Sequence, residues 1–198
     1  MEENKEKVPK FLVFILCMCI VFIIIIAISF AVFINRQEKV IEKSENGANV
    51  VLNYSTDING LKITKATPTT DQVGIKNLED GEYFDFSVET KLDNAPSLDY
   101  EISIVKDKVD SNISDSDIRI YLEKEKSGTF TKVFGPNKYT PLKKKNKYGT
   151  EAGSMVLVDT KKTNSSVDNY RLRIWLSDTS VTTEGNYSVK VVVKALAK

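Results

Sequence analysis

From Asp107 to Asp117 the chain reads DKVDSNISDSD, a density of side-chain oxygens of the kind hard cations favour. Asp110, Asn112 and Ser114 stand where the first ligands of an EF-hand loop stand. That loop needs glycine at its sixth position and a bidentate Glu at its twelfth. Asp115 and Tyr121 occupy those places, so the EF-hand reading fails. The segment reads instead as an acidic turn ahead of a strand, and no metal or cofactor is expected. The chain has no histidine. This removes Ser-His-Asp triads, Cys-His pairs and H-E-x-x-H zinc sites together. Its two cysteines, Cys17 and Cys19, lie in one apolar run, where plain packing accounts for them. No G-x-x-x-x-G-K-[ST] or G-x-G-x-x-G loop occurs. Ser and Lys are plentiful, yet no S-x-x-K sits in a recognisable frame. The chain is read as a non-enzyme.

Binding chemistry has two candidates. Residues 138–147, KYTPLKKKNK, hold Lys138, Lys143, Lys144, Lys145 and Lys147 and no acid. Such a loop is either simply solvated, or a contact for phosphate-bearing polymer or lipid headgroups, or a patch that attracts the acidic Glu79–Glu82 turn of another copy. The second candidate is Trp175, the sole tryptophan, beside Arg171 and Arg173. Strand alternation turns all three away from Leu172, Ile174 and Leu176. Trp175 then either fills a second apolar layer or stacks, partly exposed, on an arginine, and the stacked arrangement is the expectation.

The elements that must carry these groups fall into two parts. Phe11 to Ile34 contains no charge. A helix of that length, at about 1.5 Å per residue, is roughly 36 Å long, enough to cross a hydrocarbon core of about 30 Å. A secretory core is shorter, and a cut after the Ala27-Ile28-Ser29 pattern would fall inside the run, so an uncut anchor is expected. Lys5, Lys7 and Lys10 before the run balance Arg36, Lys39 and Lys43 after it. The short head and long polar tail place the head inside and the tail outside. Residues 35–49 read as a charged stalk.

Beyond the stalk the pattern becomes period-two. Phe84, Phe86 and Val88 share one face; so do Leu98, Tyr100, Ile102 and Ile104; Ile118, Ile120 and Leu122; Tyr170, Leu172, Ile174 and Leu176; and Tyr187, Val189, Val191 and Val193. Less regular strands are expected at 50–54, 61–66, 130–134 and 155–159. Turn-like bridges lie at 93–96, 135–137 and 184–186. About nine short strands without an amphipathic helix between them predict an antiparallel β-sandwich of jelly-roll or immunoglobulin-like type, preceded by one transmembrane helix. Basic and acidic residues number 28 and 27, a balance that offers nucleic acid no global field. The absence of exported cysteine fits a bacterial surface.

Some segments resemble a known family. Ile28-Ser29-Phe30-Ala31-Val32-Phe33 looks like the leader ending of TasA/camelysin proteins, exported subunits of bacterial biofilm matrix fibres. Asn77-Leu78-Glu79-Asp80-Gly81-Glu82 is similar to their N-L-x-P-G-D turn, with Asp80 for Pro and Glu82 for Asp, and Phe84, Phe86 and Val88 take the following strand. Tyr187-Ser188-Val189-Lys190-Val191 resembles their last strand. Tyr170 to Ser177 is also similar to uncharacterised single-pass proteins of Firmicutes. The resemblance implies a jelly-roll-like sandwich and polymerisation by a donor strand, for which the candidate here is Asn49, Val50, Val51, Leu52, Asn53, Tyr54 and Ser55.

These readings combine into a single-pass protein of a bacterial cell membrane. It has a cytoplasmic head at 1–10, a span at 11–34, a stalk at 35–49 and an outer β-sandwich at 50–198. Its expected role is structural, adhesive or binding, with the membrane, a cell-wall polymer or another copy as partner. A released fibre subunit and an accessory subunit of a membrane complex are the alternatives.

Overall fold

The computed structural model describes residues 18, 20, 21, 38–43, 48–56, 58–76, 83–93 and 95–197. Met18, Ile20 and Val21 are helical and about half exposed. Apart from these, the membrane reading of 11–34 lies outside the described residues, as do the head and residues 35–37. Among the described residues no helix is long and apolar enough to cross a membrane.

From Glu38 onward the chain is built of strands: β1 (Glu38–Lys43), β2 (Ala48–Tyr54), β3 (Gly60–Ala66), β4 (Pro68–Thr69), β5 (Tyr83–Leu92), β6 (Leu98–Lys106), β7 (Ile118–Lys126), β8 (Thr129–Asn137), β9 (Ser154–Lys162), β10 (Ser166–Ser177) and β11 (Gly185–Ala197). One short helix, α1 (Asp71–Gly74), joins β4 to β5. The larger sheet runs β1-β2-β5-β10-β7-β8, with β4 beside β10; the smaller runs β3-β11-β6-β9. All pairings are antiparallel except β4 with β10. This is an all-β sandwich.

Alternation explains the core. Val50, Leu52 and Tyr54 of β2, Phe84, Phe86 and Val88 of β5, and Tyr170, Leu172 and Ile174 of β10 face Tyr100, Ile102 and Ile104 of β6 and Val189, Val191 and Val193 of β11. Register makes the aromatic neighbours. Tyr54 pairs with Phe86, and Phe86 with Tyr170. The Phe86 ring stacks on Phe84 and on Tyr170, each at 5.4 Å between centroids, geometry that adds to plain area burial. The β7–β8 turn is Ser127-Gly128, both at positive φ (51° and 79°), the mirror-type turn whose twist suits a hairpin.

Three expectations are corrected. Residues 38–43 are not stalk: they form β1, paired with β2 from Glu38↔Tyr54 to Lys43↔Asn49. The sandwich unit therefore begins at Glu38 rather than at residue 50. Gly135-Pro136-Asn137 is not a turn but the last part of β8, with Asn137 opposite Ile120. Gly185 and Asn186, expected in a turn, open β11.

Candidate functional site

The lysine loop joins β8 to β9 and folds against the outer face of the smaller sheet. Backbone bonds close it at its root: Leu142 donates to the Ser154 carbonyl (2.7 Å) and Gly153 to that of Leu142 (2.9 Å). Midway, Glu101 of β6 holds it. Glu101 projects from the outer face of the sheet, yet it is buried because the loop covers it. Its carboxylate accepts from Asn146 Nδ2 (2.7 Å) and Thr150 Oγ1 (2.6 Å). Asn146 Oδ1 in turn accepts from the amides of Tyr148 (2.9 Å) and Thr150 (3.1 Å), fixing the local turn. Tyr139 and Tyr148 are buried beneath. The Tyr148 hydroxyl donates to Asp159. Burial first, and the neighbouring carboxylates next, push its pKa up and keep it a donor.

All five lysines point out to solvent. Lys145 pairs with Glu151 (2.9 Å) and Lys147 with Asp159 (3.2 Å), both in exposed positions. Lys138, Lys143 and Lys144 have no acidic partner among the described residues. The loop is thus tethered at 142, 146, 150 and 153, and it carries its lysines on the solvent side. Sequence found the lysines; it missed Glu101, which reads as an ordinary solvent-face residue of a strand. The acidic Glu79–Glu82 turn lies outside the described residues.

The second candidate sits on the outer face of the larger sheet. Arg171 forks onto Asp85 (Nε 2.7 Å, Nη2 2.6 Å) and lies over the rings of Tyr83 (4.6 Å) and Phe130 (4.3 Å). Its hydrogen bonds to Asp85 raise the guanidinium pKa further. Arg173 is buried, bonded to Glu123 at 3.2 Å and 6.0 Å from the Tyr83 ring. The two arginines do stack on aromatic rings. Trp175 corrects its expectation: it is 6% exposed, not partly open. Its ring lies tilted against Tyr121 and flat under Gly74, where a side chain would strike the indole, and its Nε1 donates to Asp71 (3.1 Å). The cover comes from α1, far away in sequence, so alternation could not reveal it.

The remaining candidates are dispersed. Asp107 pairs with Lys190 (3.5 Å), Asp110 with Lys62 (3.0 Å) and Asp115 with Lys106 (2.7 Å), while Asp117 accepts from Ser180 (2.8 Å). The oxygens of 107–117 therefore face different partners, and no group of carboxylates able to hold a metal occurs among the described residues. The donor-strand candidate, Asn49 to Ser55, is mostly β2, hydrogen-bonded between β1 and β5 of its own sheet.

Between the sheets lies a buried polar cluster that sequence did not single out. Asp168 of β10 binds Lys162 (2.6 Å), Lys124 (2.9 Å) and the Tyr100 hydroxyl (2.8 Å), and the Tyr100 and Tyr170 hydroxyls share a 2.7 Å bond. Burial alone would raise the Asp168 pKa, but the bonds from Lys162, Lys124 and Tyr100 carry it below the usual carboxylate value. Burial pushes Tyr170 up to about 12 and Tyr100 higher still.

No known protein family and no curated protein matches the chain. Among solved structures, it is similar to the infectious bursal disease virus VP2 subviral particle, at 12% identity and a TM-score of 0.38. That match covers 78% of this chain and 33% of the capsid chain, so the protein spans about a third of its length. A second is AvmM, which catalyses macrocyclization in alchivemycin A biosynthesis, at 9% identity, a TM-score of 0.29, and coverage of 81% and 97%. Neither likeness is close enough to say what this chain does.

Proposed function

We propose that the protein is a membrane-anchored β-sandwich of a bacterial cell surface, with a binding role exercised through the 138–147 loop. The carrying observation is the grip of Glu101 on that loop. It ties a lysine-bearing loop to the sheet beneath it, the arrangement in which loops carry function. Lys138, Lys143 and Lys144 then offer charge to phosphate-bearing groups, in a wall polymer or at a lipid surface. The anchor rests on the uncharged run from Phe11 to Ile34. Kinship with TasA/camelysin proteins is part of this proposal and rests on the residues quoted above. Polymerisation through residues 49–55 is disfavoured, because withdrawing β2 would strip Val50, Leu52 and Tyr54 from their own core.

Cell fractionation with intact-mass measurement tests the anchor. Full-length chain in the membrane fraction is expected. A chain beginning near Phe33 in the medium would overturn it. Replacing Lys138, Lys143 and Lys144 with alanine should abolish retention on an immobilised phosphodiester polymer or on anionic vesicles. Retention unchanged on both would remove the loop from the function.

A further inference from the structure

The outer face of the smaller sheet carries lysines of its own beside the loop. On β11, Val189, Val191 and Val193 point into the core, so Lys190, Val192 and Lys194 point outward. Lys194 lies directly across from Glu101, the residue that holds the loop, and Lys190 lies across from Val105. On the same face Lys161 of β9 is opposite Asp99, and Lys62 of β3 is opposite Ser188. Lys194 therefore stands at the foot of the loop. Lys190 follows about 13 Å along the strand, at roughly 3.3 Å per residue.

The carboxylates of this face do not match its lysines. Four lysines of the sheet and five of the loop stand against Asp99, Glu101, Glu151 and Asp159. Asp99 and Glu101 are 6% and 3% exposed, out of a ligand's reach. Asp107 and Asp110 come in from the rim, 3.5 Å from Lys190 and 3.0 Å from Lys62, and the lysines still outnumber the acids. The outer face of the larger sheet differs: there Arg171, Arg173 and Lys91 are bonded to Asp85, Glu123 and Glu89 of the same face. The basic face is also stepped. The loop lies on the sheet, with Glu101 and Tyr148 buried beneath it, so its lysines stand a layer above those of β11. A flat bilayer resting on the loop does not reach down to Lys190. Nor does the face offer the apolar area that interfacial binding uses. Leu196, 37% exposed, is its most open large aliphatic side chain among the described residues. A flexible polyanion bends over such a step.

We propose that the 138–147 loop and β11 form one continuous track for a linear phosphodiester polymer. The polymer meets the loop lysines, descends past Lys194 and continues along Lys190, each phosphate drawn by the lysine excess of the face. The proposal rests on the loop reading above and names its ligand as a polymer rather than a lipid surface.

The test uses the full chain in phosphatidylcholine nanodiscs, with synthetic long-chain poly(glycerol phosphate) and phosphatidylglycerol vesicles as probes. Lys190→Gln with Lys194→Gln should weaken polymer binding several-fold. It should also lower the slope of log affinity against log salt by about 1.4, at roughly 0.7 per neutralised phosphate of a single-stranded polyanion. Vesicle binding, strong or weak, should match wild type. Lys190→Arg with Lys194→Arg should keep affinity and slope, which a folding defect would not. Lys126→Gln with Lys132→Gln removes the same charge from exposed positions of the larger sheet and should change nothing. Wild-type affinity and slope in the Lys190→Gln, Lys194→Gln chain, or an equal loss in the Lys126, Lys132 pair, overturns the track and leaves the loop standing. An equal loss of vesicle binding makes the face a lipid contact and overturns the polymer. A wild-type chain that binds neither probe overturns the loop reading and the track with it.

Discussion

Replacing Asp168 with asparagine keeps its shape and removes its charge. What remains is a neutral amide facing Lys124 and Lys162, whose side chains are 21% and 14% exposed, and the Tyr100 hydroxyl at 2.8 Å. Breaking a buried pair on one side costs about 3–5 kcal/mol. These ammonium groups lie near the rim and can swing toward water, so the lower end, about 3 kcal/mol, is expected. For a domain of this size that is a fall of about 6–12 °C in Tm. The sign with pH follows from linkage. The Asp168 pKa is depressed in the folded state, so its contribution is full above the unfolded carboxylate value and fades as pH falls through the folded one. The gap between wild type and Asp168→Asn should therefore be widest at neutral pH and close in strong acid. Trp175, the sole tryptophan and buried, reports unfolding by its emission in a urea titration of detergent-solubilised chain. A gap below about 0.5 kcal/mol at neutral pH, the scale of an ordinary surface change, would refute the clamp. So would a gap that persists unchanged in strong acid, since the loss would then be one of packing rather than charge.

Other outcomes follow from single contacts. Glu101→Ala leaves Asn146 and Thr150 without their acceptor; a cost of about 2 kcal/mol and faster amide exchange across 146–150 are expected by hydrogen-exchange mass spectrometry, and unchanged exchange would contradict the grip. Gly74→Ala forces a methyl into the indole of Trp175; a red-shifted emission and a loss of about 1–3 kcal/mol should appear, and an unaltered spectrum would mean that α1 does not cover the ring. Because the acids of 107–117 are engaged separately, millimolar calcium should leave Tm unchanged, and a rise that EGTA reverses would reinstate a metal site.

Period-two alternation made the central strands legible, because β5, β6, β7, β10 and β11 each lay one face on the core and present the other outward. It missed β1, where Glu38-Lys39-Val40-Ile41-Glu42-Lys43 carries charge at both ends and no alternation. That composition is what an edge strand tolerates and a stalk also shows. Alternation turns Trp175 outward, and Glu101 falls on an outer face by the same rule, but their burial comes from α1 and from the 146–150 turn, segments remote in sequence. Asp168 lies two residues before Tyr170, where the alternating run begins, and its partners come from three other strands. The Ser127-Gly128 turn was readable as a hairpin signal and went unread.

The position of β11 sets a condition on biogenesis. It follows the other described strands of the sandwich in sequence, yet it lies inside the smaller sheet, between β3 and β6. β3, finished long before, has no other neighbour in that sheet. A chain emerging in order can pair β1, β2, β5, β7, β8 and β10, and β6 with β9, but β3 must wait for Gly185–Ala197. Until Gly185–Ala197 has emerged, the part of the core that β3 and β11 cover stays open, an interval in which chaperones find a client and proteases a substrate. A truncation that removes β11 would therefore do far more harm than the length lost suggests.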